Sequence, residues 1–263
     1  MQHVDVSGCR LEVHKVAAPD GAPGRAPIVF LHEGLGSVAM WRDWPAVVCR
    51  ATGRPGYLVS RRGYGHSDRV PDVRNTGRLP PDYLQREAWE VLPGLLSALE
   101  LTAPVLLGHS DGGSIALLYA SRFTTGACIA MAPHVMVEEV SVRAITAARE
   151  AYLHGDLRAR LSRYHADVDG AFWQWNDVWL SEAFRSFDIR PLLHTIKSPL
   201  MALQGVSDPY GTMAQIDEIA AQVPHAQLVK LENCGHSPHK DKPEEVLQAL
   251  KYFSSSLGKI HRH

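Results

Sequence analysis

Residues 104–114 read Pro104-Val105-Leu106-Leu107-Gly108-His109-Ser110-Asp111-Gly112-Gly113-Ser114. The apolar run Val105–Leu107 predicts a short buried strand, and the apolar-periodic Ile115–Tyr119 predicts a helix. Between them lies a Gly-x-Ser-x-Gly turn, Gly108 to Gly112, in the strand–turn–helix setting of a nucleophile elbow. Such a turn strains the serine backbone and brings neighbouring segments close, so the small residues at 108, 112 and 113 matter. It presents the Ser110 hydroxyl at the C-terminal edge of a sheet. It also aims the positive end of the following helix at charge developing there.

Outward from the elbow, the chain repeats the same alternation. Residues 2–16 alternate polar and apolar about Ser7-Gly8, which predicts an antiparallel hairpin at a sheet edge, and a Pro/Gly/Ala linker, Ala17 to Ala26, follows. Pro27–Leu31, Gly56–Ser60, Ala127–Met131, Pro199–Gln204 and Ala226–Leu231 are short continuous apolar runs, the pattern of strands covered on both faces. Helical spacing marks Val38–Ala51, residues 83–99 with a bend near Pro93, and Thr212–Gln222. A closing helix is capped by Asp241, starts at Pro243 and carries an apolar stripe of Val246, Leu247, Leu250 and Phe253. Strands alternating with helices imply an α/β fold, a mostly parallel central sheet flanked by helices.

These motifs resemble the α/β-hydrolase fold family. The family's chain order is Ser, then Asp or Glu, then His. Ser110, Asp208 in Gly205-x-x-Asp208, and His236 in Gly235-His236-x-Pro238 follow that order, each just past a predicted strand. The resemblance therefore implies a catalytic triad of Ser110, Asp208 and His236. His239 is the second choice as base. Asp217 falls inside a predicted helix, and Glu232 lacks the Gly-x-x-Asp setting. The resemblance also implies an oxyanion hole from the backbone N–H of Asp111 and of Gly34, in His32-Glu33-Gly34-Leu35-Gly36-Ser37. Glu33 stands there in place of the family's usual glycine. Arg61-Arg62-Gly63-Tyr64-Gly65-His66-Ser67 resembles a family loop and reads as structural.

Two readings of Asp111 stay open. It is a carboxylate that selects a substrate amine or holds water, or a first-turn residue favoured by the helix dipole. Ser110-Asp111-Gly112-Gly113 and Arg62-Gly63-Tyr64-Gly65-His66-Ser67 resemble the valacyclovir-hydrolase type, which keeps the amine reading in play.

Between about His134 and Thr195 the alternation stops. Helical stretches such as Val140–Leu153 are joined by an aromatic cluster of Phe172, Trp173, Trp175, Trp179, Phe184 and Phe187. The resemblance implies a helical cap inserted here, residues 135–195, on a core domain of residues 1–134 and 196–263. Most of these aromatics read as the insert's own core. Glu33, His109, His134, Trp173, Trp175 and Trp179 are the candidate substrate contacts, and such aromatics favour an apolar or aromatic group.

A net charge of −1 gives no reason to expect nucleic acid or a membrane surface as partner. Cys9, Cys49, Cys128 and Cys234 form no Cys-x-x-Cys pair and read as free thiols, and neither a leader pattern nor a membrane-spanning run is visible. A cytoplasmic protein is expected, with a small-molecule substrate, no metal and no cofactor, and with a homodimer left open. The expected function is cofactor-free ester hydrolysis through an acyl-enzyme on Ser110. Carbon–carbon bond hydrolysis, lactone opening and thioester hydrolysis share that machinery. A non-hydrolytic small-ligand receptor on the same fold is the alternative from another class.

Overall fold

The computed structural model describes residues 2–18 and 24–260; the middle of the expected 17–26 linker lies outside the described residues. Strands β1 (Gln2–Val6) and β2 (Cys9–Val16) form the hairpin expected of the alternating N-terminal sequence. Six further strands follow: β3 (Ile28–Leu31), β4 (Gly56–Val59), β5 (Val105–His109), β6 (Ala127–Met131), β7 (Leu200–Gly205) and β8 (Gln227–Leu231). The sheet order is β1-β2-β4-β3-β5-β6-β7-β8. β1 and β2 join antiparallel at one edge, and all pairings from β4 to β8 are parallel.

Side-chain alternation along the central strands fills two cores. Val29, Leu31 and Leu106 face one layer with Ile115, Leu118 and Leu92. Ile28, Phe30 and Leu107 face the other with Val48, Leu250 and Phe253. This period of two explains why the strands read as continuous apolar runs, since both faces are covered. The first layer carries α4 (Asp111–Arg122), and the second carries α1 (Trp44–Thr52) and α11 (Pro243–Ile260).

Two helices depart from the expected continuous form. Val38–Ala51 is split into a 3₁₀ turn, Val38–Trp41, and α1. Arg42, at φ 52°, breaks the chain direction, and Pro45 can open a helix but cannot sit within one. Residues 83–99 form α2 (Tyr83–Arg86), a π turn (Glu87–Val91) and α3 (Leu92–Ala98). Pro93 offers no N–H, and its ring crowds the Trp89 carbonyl, so the distortion lies in the wide turn before the proline.

Between β6 and β7 the chain forms α5 (Glu139–His154), α6 (Leu157–Leu161), α7 (Val168–Trp179), a 3₁₀ turn (Glu182–Ser186) and α8 (Arg190–Leu193). Tyr152 stacks on Phe172 at 3.6 Å, and Phe184 packs between Trp179 and Phe187 at 4.7 and 5.0 Å. Arg149 bonds Asn176 and Asp177 at 2.6 and 3.1 Å, which fixes α7 against α5. Among the described residues, no helix is long and apolar enough to cross a membrane.

Candidate active site

In open parallel sheets the functional side chains gather beyond the carboxyl ends of the strands. Ser110 follows β5 with φ 53° and ψ −118°, a backbone state that side-chain-bearing residues rarely adopt. Packing holds it there: the Ser110 N–H donates to the Met131 carbonyl at 2.8 Å, and Ser114 Oγ ties α4 to the His134 carbonyl at 2.6 Å. A Cβ on Gly112 would lie 2.0 Å from the Leu31 carbonyl oxygen, so only glycine lets α4 approach β3 this closely.

Asp208 lies in the turn after β7 and His236 in the turn after β8. His236 Nδ1 is 2.8 Å from Asp208 Oδ2, and His236 Nε2 is 2.9 Å from Ser110 Oγ. The other Asp208 oxygen accepts the Tyr210 N–H at 2.7 Å. Burial pushes the Asp208 pKa up, but the hydrogen bond and charge of His236, with the Tyr210 N–H, outweigh it and hold the carboxyl below its ordinary value. The three residues sought in the sequence therefore lie in one line of hydrogen bonds. An aspartate that accepts from Nδ1 fixes the tautomer in which Nε2 can take a proton from the serine.

Asp111 is 1% exposed and has no room for a further partner. Its Oδ2 lies 3.4 Å from Arg61 Nη2 and accepts the Tyr83 hydroxyl at 2.7 Å, and its Oδ1 lies 3.3 Å from Trp179 Nε1. The substrate-amine reading is corrected on this ground: the opposing charge is already supplied by Arg61. The helix dipole adds to this but does not explain it alone. Burial, then the charge of Asp111, raises the Tyr83 pKa well above its ordinary value, so the phenol remains a donor.

Glu33 and His109 meet behind the catalytic histidine. His109 Nε2 is 2.6 Å from the His236 carbonyl oxygen, and its Nδ1 is 3.5 Å from Glu33 Oε2. With 1% exposure, His109 is committed to these internal groups, which corrects the expectation that it contacts substrate. Burial raises the Glu33 pKa, yet the adjacent His109 ring, then Lys240 and His239, leave it well below the usual carboxylate range. Gly34 sits in a turn closed by the Gly36 N–H to the Glu33 carbonyl at 3.0 Å. A Cβ there would lie 2.2 Å from Trp175 Nε1, so the Trp175 indole packs directly against this loop.

His134 lies 5.8 Å from the His236 ring and edge-on to Trp179 at 4.9 Å, both centroid distances. Trp173 is not brought to this site: its ring packs on Tyr152 and Phe172, with the Arg74 guanidinium 3.9 Å above it. On α7, residues 172, 175 and 179 share one stripe and residue 173 falls off it, which is the physical reason for that correction. Sequence reading missed Arg61, Tyr83 and Tyr210. The Arg61-Arg62 pair directly after a strand was the available signal for the first. Tyr83 carried none, because it reaches the site from a helix far from the elbow in sequence; for Tyr210 the signal was its place two residues after Asp208. Among the described residues, no group of three or more His, Cys, Asp or Glu side chains is placed to hold a metal ion.

An α/β sheet with a strained serine after its central strand defines a protein of the α/β-hydrolase class. The sequence model of the Alpha/beta hydrolase family matches residues 28–249, and the chain belongs to that family. It is 26% identical over 267 residues to the sn-1-specific diacylglycerol lipase ABHD11 of Mus musculus, spanning 89% of this chain and 82% of that one. It is 24% identical over 249 residues to Esterase YbfF of Escherichia coli (strain K12), spanning 87% of this chain and 92% of the esterase. Among solved structures, the enol-lactonase from Burkholderia xenovorans LB400 superposes with a TM-score of 0.72 at 21% identity, covering 97% of this chain and 100% of the other. That likeness concerns the fold.

Proposed function

We propose that the protein is a serine hydrolase that cleaves a carboxylic ester of a small apolar or aromatic substrate. The observation that carries this reading is the line from Ser110 Oγ through His236 to Asp208, at 2.9 and 2.8 Å. A serine hydroxyl is a weak nucleophile at neutral pH and needs an oriented base. In the reaction Ser110 Oγ attacks the ester carbonyl carbon and its proton passes to His236 Nε2. Asp208 stabilises the imidazolium through Nδ1–H. The tetrahedral oxyanion takes the backbone N–H of Asp111, which heads α4 and so has no acceptor within the helix, and that of Gly34. Collapse breaks the bond to the alcohol oxygen, which receives the proton from His236. Water then attacks the acyl carbon and gives a proton to His236; collapse breaks the bond to Ser110 Oγ, which takes that proton back from His236 as the acid leaves.

The helices between β6 and β7 act as the cap over Ser110, and Trp175, Trp179, His134 and Tyr210 give the reacting end an aromatic surround. Tyr210 lies 4.6 Å from the His236 ring. The two relatives, a lipase and an esterase, support the ester as the bond cleaved. The test is labelling with a fluorophosphonate probe, followed by turnover of a panel of p-nitrophenyl esters, lactones and thioesters. Wild type is expected to label and Ser110→Ala not to. An unlabelled wild type would refute the hydrolase and favour a receptor. Labelling with lactone or thioester turnover exceeding that of all esters would replace the bond type.

A further inference from the structure

Two cavities of about 600 and 590 Å³ open on the surface, and neither is lined by Ser110. The first lies between the core and the inserted helices. Its walls are Met40, Trp41 and Trp44 from the segment after β3, Leu157 and Leu161 from α6, and His239 from the turn before α11. Trp41 and Trp44 stack on each other at 5.8 Å with ring planes 14° apart, and His239 packs on both at 5.1 and 5.2 Å. The inner wall is therefore flat and aromatic.

Its polar groups are unusual in one respect. Nε1 of Trp41, Nε1 of Trp44 and Nδ1 of His239 are buried with no hydrogen-bond partner. These atoms are closed off from the cavity by the rings around them, so the wall that a ligand meets is apolar. The rim carries Arg42, Arg160, Arg163 and Lys240. Only Arg160 has a carboxylate within ion-pair distance among the described residues, Asp156 at 3.5 Å. Arg42 donates to the Tyr164 hydroxyl at 3.3 Å, which leaves the phenol proton available for another acceptor.

We propose that this cavity is a second ligand site, which takes a small amphipathic anion: an aromatic or aliphatic body bearing a carboxylate or phosphate. The body lies on the Trp41–Trp44 wall and the apolar side chains of α6. The anionic head meets Arg163, Lys240 and Arg42. A volume near 600 Å³ suits a ligand of that size. The site lies behind the catalytic base: His239 packs on His109 at 5.0 Å, and His109 on His236 at 5.2 Å. Cations exposed at a rim attract through screened charge, so binding should weaken with salt.

The test is calorimetric titration of the full chain with 2-naphthoate, 2-naphthyl phosphate and the neutral 2-naphthalenemethanol, at low and high salt. At least one anion is expected to bind tenfold or more tightly than the alcohol, and the tighter of the two names the head group. Arg163→Gln with Lys240→Gln should weaken the anion tenfold or more and leave the alcohol unchanged. Trp44→Ala, which removes part of the aromatic wall, should weaken the anion several-fold. Protein blocked at Ser110 by a fluorophosphonate should bind as before. Equal affinity for anion and alcohol, indifference to the double substitution, or loss of binding on blocking Ser110 would each overturn the proposal. None of these readouts requires turnover, so they are independent of the ester-hydrolase reading.

Discussion

Arg61 and Asp111 form a buried ion pair, Nη2 to Oδ2 at 3.4 Å, with side chains 5% and 1% exposed. The pair joins the loop after β4 to the first residue of α4, directly beside the nucleophile. Removing one member leaves an uncompensated buried charge, which costs about 3–5 kcal/mol. Arg61→Met should therefore lower unfolding free energy by that order in urea denaturation, whereas Asp111→Asn with Arg61→Met should recover part of the loss. The pair also decides the question of amine selection. Asp111→Asn should change kcat/KM for amino esters and neutral esters in parallel, and a selective rise in KM for the amino esters would restore the amine reading.

The Glu33–His109 contact acts on the base through its backbone. His109 Nε2, 2.6 Å from the His236 carbonyl, helps set where the catalytic ring stands, and Glu33 lies on the other side of the imidazole. Glu33→Gln keeps the shape and removes the charge. It should lower kcat between about tenfold and a hundredfold, the scale of small misplacements at a reacting centre, with KM nearly unchanged. A drop in KM-limited binding alone, at constant kcat, would show that Glu33 contacts substrate instead.

The sheet and the Ser110–Asp208–His236 line were legible because they depend on local signals. Strands covered on both faces read as apolar runs, and a strained serine needs glycine neighbours in its own turn. The Asp111 environment was not legible. Arg61, Tyr83 and Trp179 approach it from a loop, a helix and the insert, and nothing in any one segment records that convergence. His109 misled for the same reason. Its place in the elbow resembles a pocket position, whereas its partners come from the turns after β3 and β8. Trp173 failed on helical phase, because a cluster of tryptophans does not reveal which stripe faces the serine.

Acid lability should be traceable to buried imidazoles: burial, the largest cause at each, holds the pKa of His32 well below its ordinary value and lowers those of His134, His165 and His239. Burial, then the charge of His236, lowers the His134 pKa to about 3. Burial, then His109, lowers that of His239 to about 2. In the unfolded chain each titrates near 6.5, so below that pH the unfolded state binds more protons and stability falls as the solution is acidified. From pH 7 to 5.5, His134 and His239 alone should cost about 2–3 kcal/mol together, with His32 and His165 adding to it, a window above the range where carboxylates such as Asp208 lose their contribution. His134→Phe should remove about 1 kcal/mol of that dependence in chemical denaturation at the two pH values. An unchanged slope would place the acid sensitivity elsewhere.

Gly34 offers the sharpest separation of the proposed oxyanion loop from general packing. An added Cβ would lie 2.2 Å from Trp175 Nε1, and Trp175 is buried in the insert. Gly34→Ala must therefore displace either the indole or the loop, and a shifted loop moves the proposed N–H donor away from the developing oxyanion. Loss of one such donor costs about a hundredfold to a thousandfold in kcat. Gly34→Ala combined with Trp175→Leu removes the indole atoms Nε1, Cδ1 and Cε2 that the new methyl would meet and leaves the loop free to return. The double variant should recover kcat by tenfold or more over Gly34→Ala while remaining less stable than wild type in thermal unfolding. If both variants keep wild-type kcat, Gly34 does not donate to the oxyanion. If neither recovers while both label slowly with fluorophosphonate, the displaced element is the elbow itself, since labelling reports Ser110 directly.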